Sequence, residues 1–271
     1  MAPETPGEDA LWVGGWKEVS LVDVLGSVSF TLWTAYCNLS CPWCANYSLA
    51  KGRNRRLVPI EEIVEAASSA ASFVEYFHVT GGEPMLQFRA LANLLRGVRE
   101  ATGLKMSFDT NGTIPKALGY VLERVEVDHV AVDLKAPPSE PAKYAAAAGV
   151  SVEIARKLVE GVAESVRLLA ERVPFLELRT TMVPGLVSEA DIQEVARWIS
   201  QVRFSGRLVY VVQQFIPYEG VGPSYRSVPA TPPEKLESAA RRALDVLDGI
   251  AEVWVRTIDR GARRVTPSPN G

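Results

Sequence analysis

The stretch Val28-Ser29-Phe30-Thr31-Leu32-Trp33 and the loop Cys37-Asn38-Leu39-Ser40-Cys41-Pro42-Trp43-Cys44 that follows it decide the fold of this chain. Apolar side chains occupy every second position of the first stretch, which is typical of a β-strand. The loop contains all three cysteines of the protein. A cubane iron–sulfur cluster normally takes four cysteine ligands. Three thiolates in one loop therefore predict a metal centre with one position open to a small molecule.

The composition of the chain narrows its class and its surroundings. With 271 residues, of which 47% are hydrophobic, the chain can form one undivided α/β barrel with a sizeable core. The net charge of -3 argues against a globally basic nucleic-acid binder. The acidic start lacks the features of a signal peptide, and no apolar run is long enough to span a bilayer. Cysteines confined to one odd-numbered cluster fit a reducing compartment, so the predicted location is the cytoplasm, with no membrane contact.

A repeated alternation of strand and helix patterns begins at Val28 and indicates a parallel sheet covered by helices. Strands are predicted at 28–33, 76–80, 105–109, 129–135, 175–182, 208–215 and 253–258. The first six begin strong βα units, too few for a closed eightfold barrel. The predicted fold is therefore α/β, a partial (β/α)6 TIM-like barrel of residues 26–260 whose crossovers bring the polar loops to one rim. Residues 1–25 are predicted to be a peripheral segment and residues 261–271 a tail.

Two helix starts carry clear signals in the sequence. Ser188 precedes apolar residues at helical spacing and is predicted to cap the helix that follows. Thr231 is predicted to cap another helix, with Pro232 at the first helical position and Glu234 placed for a capping box. These two helices would complete the last two βα units of the predicted barrel.

A structural zinc site is the simplest alternative for three cysteines in one loop. Zinc would need a fourth ligand, such as His78 or His129. Both histidines lie in predicted strands beside apolar residues, where a buried structural histidine is the more common case. The ligand pattern therefore favours an iron–sulfur cluster over zinc.

The spacing of Cys37, Cys41 and Cys44, with Trp43 just before the last cysteine, resembles the radical S-adenosylmethionine (SAM) superfamily. This resemblance implies that the three thiolates bind three irons of a [4Fe-4S] cluster and that SAM chelates the fourth. Reduction of SAM beside such a cluster breaks a carbon–sulfur bond and gives a 5′-deoxyadenosyl radical. The cysteines are accordingly the expected metal ligands and the centre of catalysis.

The second match to this superfamily is Gly81-Gly82-Glu83-Pro84, at the end of the second predicted barrel strand. Glycines permit close approach of the backbone to the methionyl amine of SAM, and Glu83 could accept a charge-assisted hydrogen bond from that amine. Alone, such a sequence is usually only a turn. After a cysteine triad and on the next strand, it is interpreted as a SAM contact, with Pro84 starting the following helix.

Further segments resemble the activating enzymes of glycyl-radical proteins. Asp109-Thr110-Asn111-Gly112 and Asp133-Leu134-Lys135 end two strands and are similar to motifs of pyruvate formate-lyase activase. The resemblance implies that Asp109, Asn111 and Asp133 lie near SAM and a cation or peptide, with Lys135 as counter-ion for the SAM carboxylate. The continuation to Pro137, with Arg179-Thr-Thr-Met-Val-Pro184-Gly and Gln213-Gln214-Phe215-Ile-Pro217, is most similar to the activating protein of anaerobic ribonucleotide reductase.

The resemblance implies an oxidoreductase that installs a glycyl radical on a partner protein and receives electrons from a donor such as ferredoxin or flavodoxin. Arg179 and Gln213 join the cofactor-binding candidates on this basis. The chain departs from many activases in having Ala45-Asn46 after the last cysteine, where they have His-Asn. It also has Gln213 and Gln214 on the strand that often carries a SAM-contacting histidine. These departures concern the substrate more than SAM binding.

Three alternatives to an activase remain open from the sequence. The first is modification of RNA or a nucleoside-like molecule, suggested by two basic clusters. These are Lys51, Arg53, Arg55 and Arg56 after the cysteine loop, and Arg256, Arg260, Arg263 and Arg264 near the C-terminus. The second is a 7-carboxy-7-deazaguanine synthase, a similar small barrel that typically has Asp-Thr or a similar magnesium-binding pair where this chain has Ala45-Asn46. The third is a non-catalytic metal-binding scaffold, which would not need Gly81-Gly82-Glu83-Pro84.

Overall fold

The computed structural model describes residues 7–267, which form two compact units. The first unit takes the chain up to Asn38, Ser48–Thr110 and Ile114–Val130. The second takes Leu39–Tyr47, Asn111–Thr113 and the chain from Ala131 onward. Residues 1–6 of the predicted peripheral segment and residues 268–271 of the predicted tail lie outside the described residues.

Strands and helices alternate along the chain as the sequence predicted. The strands are β1 Ala10–Ser20, β2 Ser29–Thr34, β3 Arg56–Pro59, β4 Tyr76–Gly81, β5 Lys105–Thr110, β6 His129–Asp133, β7 Phe175–Met182, β8 Arg207–Gln214, β9 Glu252–Thr257 and β10 Gly261–Arg264. The helices are α1 Tyr47–Ala50, α2 Ile60–Ala70, α3 Phe88–Thr102, α4 Pro115–Leu122, α5 Pro141–Ala148, α6 Val152–Arg172, α7 Glu189–Ile199 and α8 Pro233–Leu247. Short 3₁₀ helices lie at Pro84–Gln87 and Pro223–Tyr225.

The strands pair in the order β10-β9-β8-β7-β6-β5-β4-β2-β1-β3. Strand β4 is parallel to β2 and β5, and β8 is parallel to β7 and β9. Strands β1, β3 and β10 pair antiparallel at the two edges. Different strands form the two edges, so the sheet does not close. Six strands, β2 and β4 to β8, each lead to a helix, and this confirms the predicted partial barrel.

In the first unit, the two faces of the sheet differ in chemistry. Phe30 of β2 and Phe77 of β4 are fully buried and stack with ring centroids 5.4 Å apart. Leu91 and Leu94 of α3 are also fully buried, as the apolar face of an amphipathic helix should be. The alternating positions carry polar residues that are equally buried, and His78 of β4 is one of them. On this polar face, His78 lies between Ser107 and Asp109, one of the candidate site residues.

Strand β1 lies within the segment that the sequence assigned to the periphery. It pairs with both β2 and β3, and its Leu11 and Val13 are fully buried. Strand β10 likewise lies within the predicted tail and pairs with β9. At the start of β1 the fully buried Leu11 and Val13 alternate with the less buried Ala10 and Trp12, as expected of a strand that packs one face on the core.

One of the two predicted helix starts is correct and the other is wrong. Ser188 caps α7 and forms a capping box with Asp191. Helix α8, in contrast, has Pro232 as its N-cap residue, without a side-chain capping bond. The hydroxyl of Thr231 is buried and donates to the Met182 carbonyl oxygen at 2.5 Å. That tertiary hydrogen bond takes the proposed capping group away, so the helix begins one residue later than predicted.

Candidate active site

The cysteine loop begins in the first unit and continues in the second. In the first unit, the Cys37 amide donates to the Ala50 carbonyl at 3.0 Å, directly after Tyr36 with a left-handed φ of 70°. In the second, the Cys44 amide donates to the Cys41 carbonyl at 3.2 Å and closes a turn. Cys41 is buried, Cys37 and Cys44 are half-buried, and none of the three forms a disulfide. The loop thus has backbone restraints on both sides of the unit boundary.

Within the second unit, the segment after helix α5 holds the cysteine loop. The Ser40 amide donates to the Ala148 carbonyl at 3.0 Å, and the Trp43 indole Nε1 donates to the Ala147 carbonyl at 2.9 Å. Gly149 has a left-handed φ of 67°, and a Cβ there would lie 2.1 Å from the Ser40 carbonyl oxygen. The position therefore requires glycine both for its backbone conformation and for the close approach of the loop.

The connection between β8 and α8 also supports the cysteine loop. The Tyr47 amide donates to the Gly220 carbonyl at 3.3 Å. A Cβ at Gly220 would lie 2.5 Å from the Ala45 carbonyl oxygen, and one at Gly222 would lie 2.3 Å from the Pro42 carbonyl oxygen. This connection therefore packs directly on the backbone of the cysteine loop. Its role was not predicted from the sequence, since isolated glycines in a loop carry no specific signal.

Lys135 provides the positive charge beside the cysteines of the second unit. Its Nζ lies 2.8 Å from Asp133 Oδ2 and 5.3 Å from the centroid of the Trp43 ring. Burial alone would lower the pKa of Lys135, but the charges of Asp133 and Cys41 outweigh it and raise the pKa. Burial also raises the pKa of the Cys41 thiol to about 11, against the opposing charge of Lys135. Binding of a metal must displace the thiol proton, and a lysine cation nearby favours the thiolate that results.

In the first unit, the glycines at the end of β4 pack against the backbone that leads to the cysteine loop. A Cβ at Gly81 would lie 2.2 Å from the Thr34 carbonyl oxygen, and one at Gly82 would lie 1.9 Å from the Tyr36 carbonyl oxygen. The amides of Gly82 and Glu83 donate to those same two carbonyls at 2.8 and 2.7 Å. The glycines were predicted to admit SAM. The structure adds another requirement, because the turn packs tightly on the backbone that leads to Cys37.

Glu83 is fully buried and caps the short helix that Pro84 begins. Its Oε1 accepts from the Met85 amide at 3.0 Å and from the Thr110 hydroxyl at 2.9 Å. The carboxylate is therefore fixed in the first unit by a backbone donor and a neighbouring strand. Thr110, which the sequence placed in the same motif as Asp109, acts here through Glu83.

Asp109 and Asn111, two neighbours in one predicted motif, have different surroundings. In the first unit, Asp109 Oδ2 accepts from the Thr80 hydroxyl at 2.9 Å and lies 3.5 Å from His78 Nε2. In the second unit, Asn111 Oδ1 accepts from the Thr113 amide at 3.0 Å and from the Thr113 hydroxyl at 2.6 Å. Asn111 thus shapes its own turn through an Asx-type interaction.

Arg179 and Gln213 belong to a charged cluster of the second unit. Arg179 Nε lies 2.6 Å from Glu177 Oε1, and both side chains are buried. Arg256 approaches the same Glu177 oxygen at 3.4 Å and donates to Gln213 Oε1 at 3.1 Å. Glu177 and Arg256 were not predicted as site residues. The spacing of Glu177 and Arg179 could have indicated the pair, because alternate residues of a strand point to one face.

The basic clusters behind the RNA alternative are largely occupied by the protein itself. Arg55 lies over the rings of Trp12 and Tyr36, with its guanidinium carbon 4.7 and 5.0 Å from their centroids. Near the C-terminus, Arg263 and Arg260 approach Glu237 Oε1 at 2.6 and 3.7 Å. Arginines already paired in this way offer less positive charge to a phosphate backbone. The structure therefore gives the RNA alternative no added support.

With this geometry in place, comparison with known proteins identifies the family. A family model described as the Radical SAM superfamily matches residues 31–199, more than half of the chain. The chain belongs to the radical SAM superfamily. As a radical SAM enzyme it uses a [4Fe-4S] cluster and SAM. Among residues 7–267, no helix is both long and apolar enough to cross a membrane.

Relatives of this radical SAM protein differ in the reactions after which they are named. It is 26% identical over 247 residues to a Methanocaldococcus jannaschii protein provisionally named a glycyl-radical enzyme activating enzyme, covering 91% of this chain and 96% of that one. It is 30% identical over 211 residues to the 7-carboxy-7-deazaguanine synthase of Hyperthermus butylicus, covering 69% and 86%. Among solved structures, HydG, a maturase of the [FeFe]-hydrogenase, matches with a TM-score of 0.58 at 10% identity, covering 84% of this chain and 52% of that one. The chain therefore spans about half of HydG, and the likeness concerns the fold alone.

The donor set of the loop fits a [4Fe-4S] cluster. In a cubane each thiolate binds a different iron, so the three sulfurs do not converge on one point. Within residues 7–267, no three His, Cys, Asp or Glu side chains converge as they would around a single metal ion. The histidines considered as zinc ligands are buried in the first unit, where each bonds to Ser107 through Nδ1 at 2.8 Å. The observed surroundings of these histidines agree with the structural role that was favoured from the sequence.

Proposed function

We propose that this radical SAM protein installs a glycyl radical on a partner enzyme, as the activating protein of an anaerobic ribonucleotide reductase would. The observation that carries the proposal is its similarity to the Methanocaldococcus jannaschii protein over nearly the whole of both chains. All three cysteines of the sequence lie in one loop, so no cysteines remain for a second cluster. Cysteine ligands for one cluster are sufficient for an enzyme that removes a single hydrogen atom from its substrate.

The roles of the site residues form part of the same proposal. Cys37, Cys41 and Cys44 would hold the cluster, and Lys135 would offset the negative charge of the thiolates and of the SAM carboxylate. The other proposed contacts with SAM are Trp43, Gly81, Gly82, Glu83, Pro84, Asp109, Asn111, Asp133, Arg179 and Gln213. When bound, the cluster and SAM supply the 5′-deoxyadenosyl radical. A reductant such as ferredoxin or flavodoxin would deliver the electron.

Glycine is a chemically reasonable target for this radical. Hydrogen abstraction from a glycine Cα breaks one C–H bond, and the hydrogen completes the methyl group of 5′-deoxyadenosine. The amide groups on both sides of the Cα delocalise the unpaired electron that remains. With SAM bound, the loops around the site would limit access of water to the radical before it reaches the glycine.

Conversion of a small molecule to 7-carboxy-7-deazaguanine is the second candidate function. It is favoured by the 30% identity to the Hyperthermus butylicus enzyme, which is higher than the identity to the activating enzyme but covers less of the chain. Ala45-Asn46 in place of the expected magnesium-binding pair argues against this reaction. Mass spectrometry of the products can separate the two candidates.

Electron paramagnetic resonance provides the direct test of the proposal. The protein is reconstituted anaerobically with iron and sulfide, reduced, and mixed with SAM and the glycyl-radical subunit of an anaerobic ribonucleotide reductase from the same organism. We expect a glycyl doublet with the parent protein and none with Cys41→Ala, which lacks a cluster ligand. If the parent cleaves SAM but forms no doublet with any such subunit, the proposal is wrong. Formation of a deazaguanine product would support the second candidate instead.

A further inference from the structure

A line of buried polar groups crosses three neighbouring strands of the first unit. His78 on β4 and Ser107 on β5 are direct partners in the parallel pairing. The Ser107 hydroxyl oxygen lies 2.8 Å from His78 Nδ1 and 2.8 Å from His129 Nδ1 at the start of β6. All three side chains are fully buried. His78 and His129 are also the only histidines of the sequence.

The line ends at a carboxylate of the candidate SAM site. His78 Nε2, at the opposite side of the ring from Ser107, lies 3.5 Å from Asp109 Oδ2. The Thr80 hydroxyl donates to the same oxygen at 2.9 Å. At the other end, the ring of Tyr76 packs edge-on against His129 with centroids 6.4 Å apart. His129, Ser107 and His78 therefore connect the buried interior beside Tyr76 to Asp109.

The number of available protons limits which of these groups donates each hydrogen bond. A serine hydroxyl has one proton to donate, and two imidazole nitrogens face the Ser107 oxygen. One Nδ1 must accept that proton, and the other Nδ1 must carry its own proton and donate it to the oxygen. A neutral imidazole has one N–H, so the histidine that accepts from Ser107 carries its proton on Nε2. The remaining question is which histidine this is.

Asp109 decides between the two arrangements. If Ser107 donates to His78, the Nε2–H of His78 points its proton toward the carboxylate oxygen of Asp109. If Ser107 instead donates to His129, a neutral His78 presents the lone pair of Nε2 to a carboxylate oxygen 3.5 Å away. Two acceptors that face each other in a buried site repel, and burial makes the conflict more costly. Of the two arrangements with neutral histidines, the first is therefore the more stable.

We propose that His129, Ser107 and His78 form a directional hydrogen-bond relay that holds Asp109, with His78 as a positioning residue of the active site. His129 donates to Ser107 and Ser107 donates to His78, while the Nε2–H of His78 faces Asp109 Oδ2 at 3.5 Å, an electrostatic contact without hydrogen-bond geometry, beside the Thr80 hydroxyl that donates to the same oxygen. The relay restrains the carboxylate without adding a net charge to the buried face. Its importance for SAM rests on the role proposed above for Asp109, but its direction does not.

Nitrogen NMR of the histidines tests the direction of the relay in the unmodified protein. The full chain is labelled with ¹⁵N-histidine, its cluster is reconstituted, and spectra are recorded anaerobically at neutral pH without reductant. Because the sequence has two histidines, the spectrum has two imidazole systems, and a His129→Gln sample assigns them. We expect His78 as the neutral Nε2–H tautomer and His129 with a protonated Nδ1. Any other protonation state of His78 overturns the proposal.

Two substitutions of His78 test the positioning role. Gln can place its amide nitrogen near the position of Nε2 and donate to Asp109, whereas Asn reaches only the region of Nδ1. We expect His78→Asn to weaken SAM binding about fivefold, as loss of one electrostatic contact with a partly buried carboxylate would. We expect His78→Gln to restore most of that affinity. Equal losses in the two variants would indicate a merely structural role and overturn the proposal.

These results separate the relay from the proposed function. The tautomers and the affinity for SAM are measured without any partner protein. If His78 has the expected tautomer and the two variants differ as expected, the relay stands even when no glycyl radical forms. If the tautomer is wrong while a glycyl doublet forms, the relay fails and the proposed function stands. Should the His78 variants not fold, the spectrum of the parent protein still decides the direction.

Discussion

A buried network of neutral side chains in the first unit differs from a network of charged side chains in the second unit. In the first unit, hydroxyls and imidazoles connect β4, β5 and β6, and Asp109 lies at one end of the line. In the second unit, Glu177 joins two arginines, and Lys135 pairs with Asp133. In the neutral network, the positions of the protons determine which group donates each hydrogen bond. In the ionic network, the carboxylate offsets the positive charges of the arginines. Removal of one member should therefore cost far more in the second unit than in the first.

The largest expected effect is that of Glu177→Gln. The change keeps the size of the side chain but leaves Arg179 and Arg256 without their buried counter-charge. We expect the free energy of unfolding to fall by about 4 kcal/mol, as measured by chemical denaturation. Glu62→Gln is the matched control, because Glu62 pairs with Arg56 on the surface at 2.9 Å. The control should lose less than about 1 kcal/mol. Similar losses in the two variants would contradict the contrast between buried and exposed pairs.

The next effect concerns the backbone that supports the cysteine loop. Gly149→Ala places a Cβ 2.1 Å from the Ser40 carbonyl oxygen at a residue with left-handed φ. We expect a loss of about 3 kcal/mol in unfolding free energy and a reduced iron content after reconstitution, measured by iron analysis. Gly97→Ala in helix α3 is the control, since its Cβ would lie 3.4 Å from a flexible Val64 methyl group. Full loading of Gly149→Ala with iron would show that this contact does not shape the loop.

A smaller effect is expected in the neutral network. Ser107→Ala removes the hydroxyl shared by His78 and His129 and leaves both Nδ1 atoms in a buried site without it. We expect a loss of about 2 kcal/mol in unfolding free energy. Ser68→Ala removes an exposed hydroxyl that donates to the Val64 carbonyl and should change stability by less than about 0.5 kcal/mol. A loss as large as that of Glu177→Gln would remove the distinction between the two units.

The smallest effect comes from a partly exposed pair, Asp191 with Lys143. Burial would raise the pKa of Asp191, but hydrogen bonds from Lys143 and Ser188 outweigh it and lower the pKa. Because the pKa of Asp191 is lower in the folded protein than in the unfolded chain, its ionised carboxylate stabilises the fold at any pH above the pKa of the unfolded chain. This contribution is lost as the pH falls through the pKa of the folded protein. Asp191→Asn should therefore lose about 1 kcal/mol at neutral pH. The difference from the parent should shrink below about pH 4, and thermal unfolding across pH measures it. A constant difference would contradict the assigned pKa direction.

The barrel was predictable because local sequence patterns indicate its strands. Strand β7 was predicted with its observed bounds, Phe175–Met182, as one member of the repeated alternation of strand and helix patterns. Ser188 was predicted as a cap because both partners of its capping box are close in sequence. Thr231 failed for the opposite reason, since its hydroxyl bonds to Met182, a residue far away in the chain. Local signals succeed where no tertiary partner competes for the same group.

The candidate site followed the same rule. Cys37, Cys41 and Cys44 could be proposed as cluster ligands because their spacing is itself the signal, and the proposed SAM contact at Gly81 to Pro84 because it lies at a strand end. Glu177, His78 and the glycines at 149, 220 and 222 were not predicted as site residues, because each has a contact with another strand or loop: Glu177 with Arg256, His78 with Ser107, and the glycines with the cysteine loop. For Glu177 and His78, a polar residue inside a strand was the local signal, whereas the loop glycines had none. Pairs of such residues on neighbouring strands are the signal to search for in related sequences.

Transfer of deuterium from the partner to SAM-derived product tests the central claim most directly. A glycyl-radical subunit produced with α-deuterated glycine is mixed anaerobically with the reconstituted, reduced protein and SAM. The 5′-deoxyadenosine is then analysed by mass spectrometry. We predict that it carries one deuterium per molecule when the subunit is deuterated and none when the subunit is unlabelled. Cleavage of SAM that yields only unlabelled 5′-deoxyadenosine with the deuterated subunit would contradict a glycine Cα as the target.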